Sequence, residues 1–392
     1  MSKLTVSLMS LILTAGLLSA CSSNQDNDPA SATVTPSAAP SQPASTTPSS
    51  SPASSPAAVP VNVDKLIADY KAIVDLAEAK TDPKAVQQAY RQNFQAQVQA
   101  IDEGLAQDAP RIDDNISFVL DHGVSGDMNA DQVAEATEKG LNWYFYFQLR
   151  DILNKQVLEA LKAGKTDEAS TLLDQGIRAY TAVLEPFVEK RDGKFHTTMK
   201  DTIATAVIPK LQEDVKAGNV ADYNVHRQML DKTLIKAFTL ATYNYGEIMP
   251  TVDKAELPKE MTEGYFLFLP VYTYLKGGSA SDADAVKDAF ASGDASKVVP
   301  AKIKAALIAC NTGKVKEYLE TAQQEMKNGK KDESRVHAME AVMFLSAQET
   351  FLGADYAKAA SAGEAFLTAV DQGKADEAKQ QADTILAALS KL

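Results

Sequence analysis

The chain has 392 residues, with 39 Lys and Arg against 52 Asp and Glu, a formal net charge of −13 and two cysteines. That acidic balance argues against nucleic acid or anionic lipid as a charge-driven partner, and is compatible with cations or simply with a soluble surface. Two cysteines cannot frame a disulfide scaffold, so the body must be held by its hydrophobic core.

In chain order, Lys3 precedes an apolar run from Leu4 to Leu18, which is followed by Ser19, Ala20 and Cys21. The run is too short to span a bilayer and reads as a secretory signal peptide. The small residues before Cys21 form a lipobox, so residues 1–20 are expected to be removed and Cys21 to carry lipid as a membrane anchor. Residues 22–61 hold eight of the sixteen prolines and no aromatic residue. A segment of that kind cannot bury enough apolar surface to offset its ordering entropy, and is expected to be a disordered tether. At ~3.1 Å per residue in a Pro-rich chain its reach is on the order of 100 Å. These features place the protein in the cell envelope. It would sit on the outer face of the cytoplasmic membrane of a Gram-positive host, or in the outer membrane of a Gram-negative one, since Ser22 rather than aspartate follows the cysteine.

From Val61 onward apolar residues recur at three- and four-residue intervals, and no convincing set of strands is present. The expected fold class is all-α, a multi-helix bundle. In the first helix Leu66, Ile67, Tyr70, Ile73, Val74 and Leu76 share one face; the next starts with Asp82 as cap and Pro83 in the first turn. Further helices are expected at 84–106, 129–163, 166–190, 197–217, 220–246, 260–275, 295–311, 313–328, 331–354, 358–371 and 374–391. His122 falls outside them, in an expected loop. The aromatic runs Trp143–Phe147 and Tyr265–Tyr274 are expected to pack the core, with a ligand pocket as the alternative. Cys310, on an amphipathic helix with no base near it in sequence, reads as an inert buried thiol.

Three turns share one grammar: "KAGKTDEAS" (162–170), "KNGKKDESR" (327–335) and "DQGKADEAK" (371–379) each place Gly at a helix end and then Asp as the next cap. This is the wording of helical hairpins, but the spacing is not that of a tetratricopeptide array. A longer match is more informative. Residues 211–230 align without gaps to 322–341 at a constant offset of 111, pairing Gln212 with Gln323, Lys216 with Lys327, Gly218 with Gly329, and Val225-His226 with Val336-His337. The body therefore divides into leading helices at 62–128 and two related helical halves, 129–250 and 260–392.

The histidines carry the chemistry this sequence offers. Asp222 stands four residues before His226, Glu333 four before His337 and Asp192 four before His196, a spacing that sets carboxylate beside imidazole on a helix. An exposed ion pair worth ~0.2–0.5 kcal/mol explains such spacing without any function. Glu340, three residues after His337, makes Glu333, His337 and Glu340 a three-ligand face. His226 and Asp222 of the other half are candidates to complete the shell. Mixed carboxylate and imidazole ligands suit Fe, Mn or Zn. No nucleophile elbow, zinc-protease helix, Walker loop or dinucleotide fingerprint is present, so an enzyme is not expected.

The stretch "HAME" at 337–340 resembles the HxxE element of imelysin-like proteins, and "DQGIRAYTAVLEPFVEKRD" at 174–192 is similar to the exported helical segment of bacterial high-affinity iron permeases. The resemblance covers under a tenth of the chain. It implies an exported, duplicated helical bundle linked to iron uptake, with His337 and Glu340 as ligands. The functional expectation is a lipid-anchored binding protein, handling iron or another transition metal and delivering it to an envelope transporter; the alternative is a metal-free scaffold for a protein or envelope polymer. Replacing the only acylatable residue, as in Cys21→Ser, is expected to move the protein from membranes into the medium or leave an uncut precursor on cell fractionation. A processed form still on the membrane would refute the anchor.

Overall fold

Leu66, Tyr70 and Ile73 are buried along α1 (Val63–Glu78), as their spacing requires. The computed structural model describes residues 62–80 and 82–392; Cys21, the leader and the linker lie outside the described residues. Asp82 caps α2 (Pro83–Asn93), its carboxylate accepting from Lys84 N at 2.9 Å. A break at Phe94 then separates α3 (Gln95–Glu103). The body is all-α, with no strand among the described residues.

A helix unforeseen in the sequence follows, α4 (Ile112–Ser125), and His122 lies in its last turn rather than in a loop. Its cap comes from outside the local sequence: the Asp102 carboxylate accepts from Ile112 N and Asp113 N, both at 2.8 Å. An asparagine–glutamine capping box starts α5 (Ala130–Asp151), which runs through a π-helical segment at 152–157 into α6 (Leu158–Lys162). Two more rods are built alike. One is α7 (Thr166–Ala179), a π segment at 180–184, and α8 (Glu185–Phe195); the other is α9 (Met199–Thr202), a π segment at 203–207, and α10 (Ile208–Ala217).

The second part of the body comprises α11 (Val220–Ile248), α12 (Leu257–Gly278), α13 (Ala280–Ala291) and an unbroken α14 (Pro300–Lys327). It ends with α15 (Lys331–Ser346), the one-turn α16 (Glu349–Leu352), α17 (Tyr356–Asp371) and α18 (Ala375–Leu389). Two expectations are corrected here. α13 was not foreseen, and 295–328 is one rod from Pro300 rather than two helices. In the repeated turns Gly164, Gly329 and Gly373 adopt left-handed backbone, as expected. The caps, however, are Lys165, Lys330 and Lys374, and Asp167, Asp332 and Asp376 stand inside the first turn, where a carboxylate favours the positive end of the helix dipole.

Residues 62–392 form one compact unit, so the leading helices and both expected halves share a single body. Trp143, Tyr144, Phe145 and Tyr146 are fully buried, as core packing predicts. α12 packs against α5, α11, α13 and α14. Its last turn crosses α14 backbone to backbone: a Cβ at Gly278 would lie 1.9 Å from the Cys310 carbonyl oxygen, and one at Gly313 2.0 Å from that of Gly278. Cys310 sits in this crossing, wholly buried, its thiol donating to Ser279 O at 3.5 Å and pushed up to about 12 by burial, which is the inert thiol expected.

Gly278→Ala should therefore cost roughly 1–3 kcal/mol of unfolding free energy, since the colliding atoms are backbone and cannot swing aside. Gly193→Ala, on the exposed side of α8 with nothing within 4 Å of a new Cβ, should instead be neutral or add up to about 0.5–1 kcal/mol. Denaturant melts of the two variants check the contrast.

Candidate functional site

The two aligned histidines do find carboxylates, but not the ones four residues away. His226 Nδ1 lies 2.6 Å from Asp214 Oδ2 and His337 Nδ1 lies 2.6 Å from Glu325 Oε2. Both partners are twelve residues upstream, on the preceding helix of a hairpin that turns at Gly218 or Gly329 in left-handed backbone. Asp214 and Glu325 are themselves related by the offset of 111, so each copy repeats the same interhelical clasp.

The other candidate ligands are spoken for or dispersed. Asp222 is paired with Arg335 across α11 and α15 at 2.5 Å, and burial, which would raise its pKa, is outweighed by that guanidinium so that it lies below the usual carboxylate range. Glu333 is exposed, and among the described residues no ion pair joins it to His337. Glu340 is buried and bound to Lys232 at 3.0 Å, with His337 Nε2 3.9 Å away. The three-ligand face is thus not assembled, and among the described residues no group of three His, Cys, Asp or Glu side chains could hold a metal ion. Asp192 caps α9, accepting from Met199 N and Lys200 N at 2.8 Å each, and so serves the turn instead of His196.

The site that does assemble lies in front of these groups. A cleft of about 480 Å³ opens between the end of α3, the α5 rod, α12 and α14. Phe147, Arg150 and Asp151 reach it from α5, Asn154 and Lys155 from the π segment, Tyr274 from α12, and Lys314 and Tyr318 from α14. The π segment gives the wall its shape: the extra residue per turn turns the register of Asn154 and Lys155 relative to an α-helix. Its Leu153 carbonyl is satisfied by the Tyr223 hydroxyl at 3.0 Å. Gly176 lets α7 approach it closely, since a Cβ there would meet Ile152 and Leu149 at 3.2 Å. Apolar Ile101, Leu105, Ala106 and Ala109 line the opposite side.

Behind the cleft is a chain of buried charges. Asp231 of α11, with 3% of its side chain exposed, faces Arg150 Nε at 3.0 Å, Lys232 Nζ at 2.6 Å and the Tyr146 hydroxyl, which donates to it at 2.9 Å. Lys232 then reaches Glu340 on α15. Burial alone would raise the Asp231 carboxyl; Arg150 and Lys232 outweigh it and hold the group at about 2. The cations rest on rings, Arg150 4.7 Å from the Tyr274 centroid, Lys232 5.1 Å from the same ring and Lys314 4.4 Å from Tyr318. Tyr318 is backed by His337 and Phe344, stacked at 5.8 and 5.7 Å. The "HAME" stretch therefore buttresses the cleft from behind.

Sequence reasoning missed Arg150, Asp231, Lys232 and Lys314. A signal existed: "QMLDKTLIKAFTLATY" (228–243) sets adjacent Asp and Lys within a helix that is apolar all round, and a charge there must be paired or functional. A second hollow, about 490 Å³ between the start of α17 and α18, is lined by surface charges already paired, Lys379 with Asp383 and Lys391 with Asp355. Compared with family models, curated proteins and solved structures, the chain gives no significant match.

Because Asp231 is depressed below its unfolded value of ~3.9, its contribution to stability is complete above about pH 4 and is lost as pH falls through 2. Asp231→Asn should flatten that acid limb. At pH 7 it should cost roughly 3–5 kcal/mol, because Arg150 and Lys232 are left buried without their counter-charge. Urea melts between pH 2 and 7 on both proteins read the slope and the offset.

Proposed function

We propose that this protein is an envelope lipoprotein, tethered through Cys21, that captures a small organic anion in the cleft between α3, α5, α12 and α14. One observation carries this reading. Arg150 is ion-paired with Asp231 through its Nε edge, 3.0 Å away and without a hydrogen bond, among the described residues neither of its terminal nitrogens is paired with a carboxylate, and the residue lines the cleft. A guanidinium held on aromatic rings with its outer edge open offers a carboxylate or similar anion two parallel hydrogen bonds. Lys314, 7% exposed, fixed on Tyr318 and paired with Glu317 at 2.5 Å, is the second cation of the wall. The cleft has the size and the mix of apolar wall and few polar groups that ligand sites use.

This reading differs from a bare metal-ion carrier, for which the described histidines and carboxylates supply no converging set. If iron is the cargo, it would have to enter as an anionic complex. Native mass spectrometry of the purified protein, with metal analysis of the same sample, separates the two. An anionic small molecule retained by the wild type and lost in Arg150→Lys is expected. One equivalent of metal that disappears in His337→Ala, with no dependence on Arg150, would overturn the proposal and restore the metal site.

A further inference from the structure

The charges around the cleft do not cancel, and the remainder says what ligand would complete them. Four cations stand in or directly behind the wall: Arg150, Arg227, Lys232 and Lys314. Three carboxylates answer them, Asp231, Glu340 and Glu317. Arg227 is the one left over. It is half-buried, and its hydrogen bonds go to amide oxygens only, Nη1 to Asn154 Oδ1 at 2.7 Å and Nε to Asn224 Oδ1 at 3.0 Å. Asn154 itself lines the cleft, so the unmatched charge lies one side chain from its surface. Asp151 and Lys155, which also line the cleft, carry opposite charges. In a chain of net charge −13, this is a local inversion of sign, enclosed by low-dielectric walls that strengthen it.

The wall facing the cations is apolar. Ile101 and Leu105 are half-buried at the end of α3 and in the segment after it, while the Phe147 ring lies against Arg150, 5.4 Å from its guanidinium carbon. A ligand that filled the cleft would put a charged head at Arg150 and an apolar body along α3. Resting on the anion-capture reading above, we propose that the ligand is an amphipathic monocarboxylate, its single negative charge balancing the single positive excess and its apolar body lying on Ile101 and Leu105. A cationic head would be repelled. A dianion would overshoot the balance, and its second charge would have to be desolvated without a partner. The planar fork of Arg150 favours a carboxylate, which it can meet edge to edge.

Isothermal titration of the full chain with eight-carbon probes and with acetate tests the head and the body separately. Octanoate is expected to bind with 1:1 stoichiometry. Acetate should bind at least a hundredfold more weakly, octylamine not at all, and the dicarboxylate suberate and octyl phosphate at least tenfold more weakly than octanoate. Arg150→Lys should weaken octanoate more than tenfold, and its circular dichroism and melting temperature report whether it folds. Leu105→Asp, a half-exposed position at which folding is not in question, should abolish octanoate binding by placing a carboxylate on the apolar wall. If octyl phosphate or suberate equals or exceeds octanoate and depends on Arg150, the monocarboxylate assignment falls while anion capture stands. If octylamine binds as well as octanoate, or if Leu105→Asp and a folded Arg150→Lys both leave octanoate affinity unchanged, the assignment and the anion-capture reading fall together.

Discussion

Asp231 is the side chain on which the arrangement of this body turns. It is a carboxylate enclosed in the middle of α11, where a lone ion would cost several kcal/mol. It is kept ionised by Arg150 from α5 and its own neighbour Lys232, with the Tyr146 hydroxyl donating to it. Lys232 passes the tie to Glu340 on α15, and Arg150 rests on Tyr274 from α12. Four helices are thereby fixed relative to one another around one anion. Such networks add little net stability over an apolar core, but they tolerate no slip in register, because each displaced partner leaves a buried charge unpaired. The helices that Asp231 holds include two that wall the cleft, and the Arg150 fork is aimed by the same contact.

The two hairpins that align at an offset of 111 supply the rigidity behind it. In each, an imidazole clasps a carboxylate of the preceding helix at 2.6 Å, and in the second copy that imidazole also stacks on Tyr318. Arg335 joins the two copies through Asp222. A spacing that reads as a metal triplet on one helix is, in three dimensions, a set of struts: Glu325 fixes His337, His337 backs Tyr318, and Tyr318 seats Lys314 at the cleft.

Local physics was largely legible in the sequence. Helical periodicity, the Asp82 cap, the glycine turns, the buried aromatic run and the inert Cys310 depend on neighbours within a few residues, and the structure shows each of them. What escaped depends on distant partners. α4 is capped by Asp102 ten residues upstream, so its start carries no local cap. The true partners of the histidines were present in the same alignment that paired the histidines, but Asp214 against Glu325 is a conservative exchange rather than an identity and drew no notice. The cleft draws its cations from α5 and α14, which lie far apart in the chain and which only the packing of α12 and α14 at Gly278 and Gly313 brings to a common wall.

A second buried charge cluster on the same helices sharpens the reading of the first. α5 and α12 each carry Glu-x-Thr-Glu before their aromatic runs, Glu135 to Glu138 and Glu260 to Glu263. Among these four carboxylates Lys139 meets Glu135 at 3.4 Å and Glu263 at 3.5 Å and also contacts Glu138, and Lys259 meets Glu135 and Glu260. Buried Arg191 lies near Glu263 and Glu138. Burial together with the neighbouring Glu263 carboxyl drives the Glu135 pKa upward, so that the pair tends to share a proton. Water supplies that proton at no structural cost, and the cluster closes on itself. The cluster behind the cleft has the opposite imbalance, and added protons cannot mend it, whereas an anion in the cleft would. The acidic cluster is closed within α5, α12 and their neighbours, whereas the cationic one, drawn from α5, α11 and α14, is the one that borders the cleft.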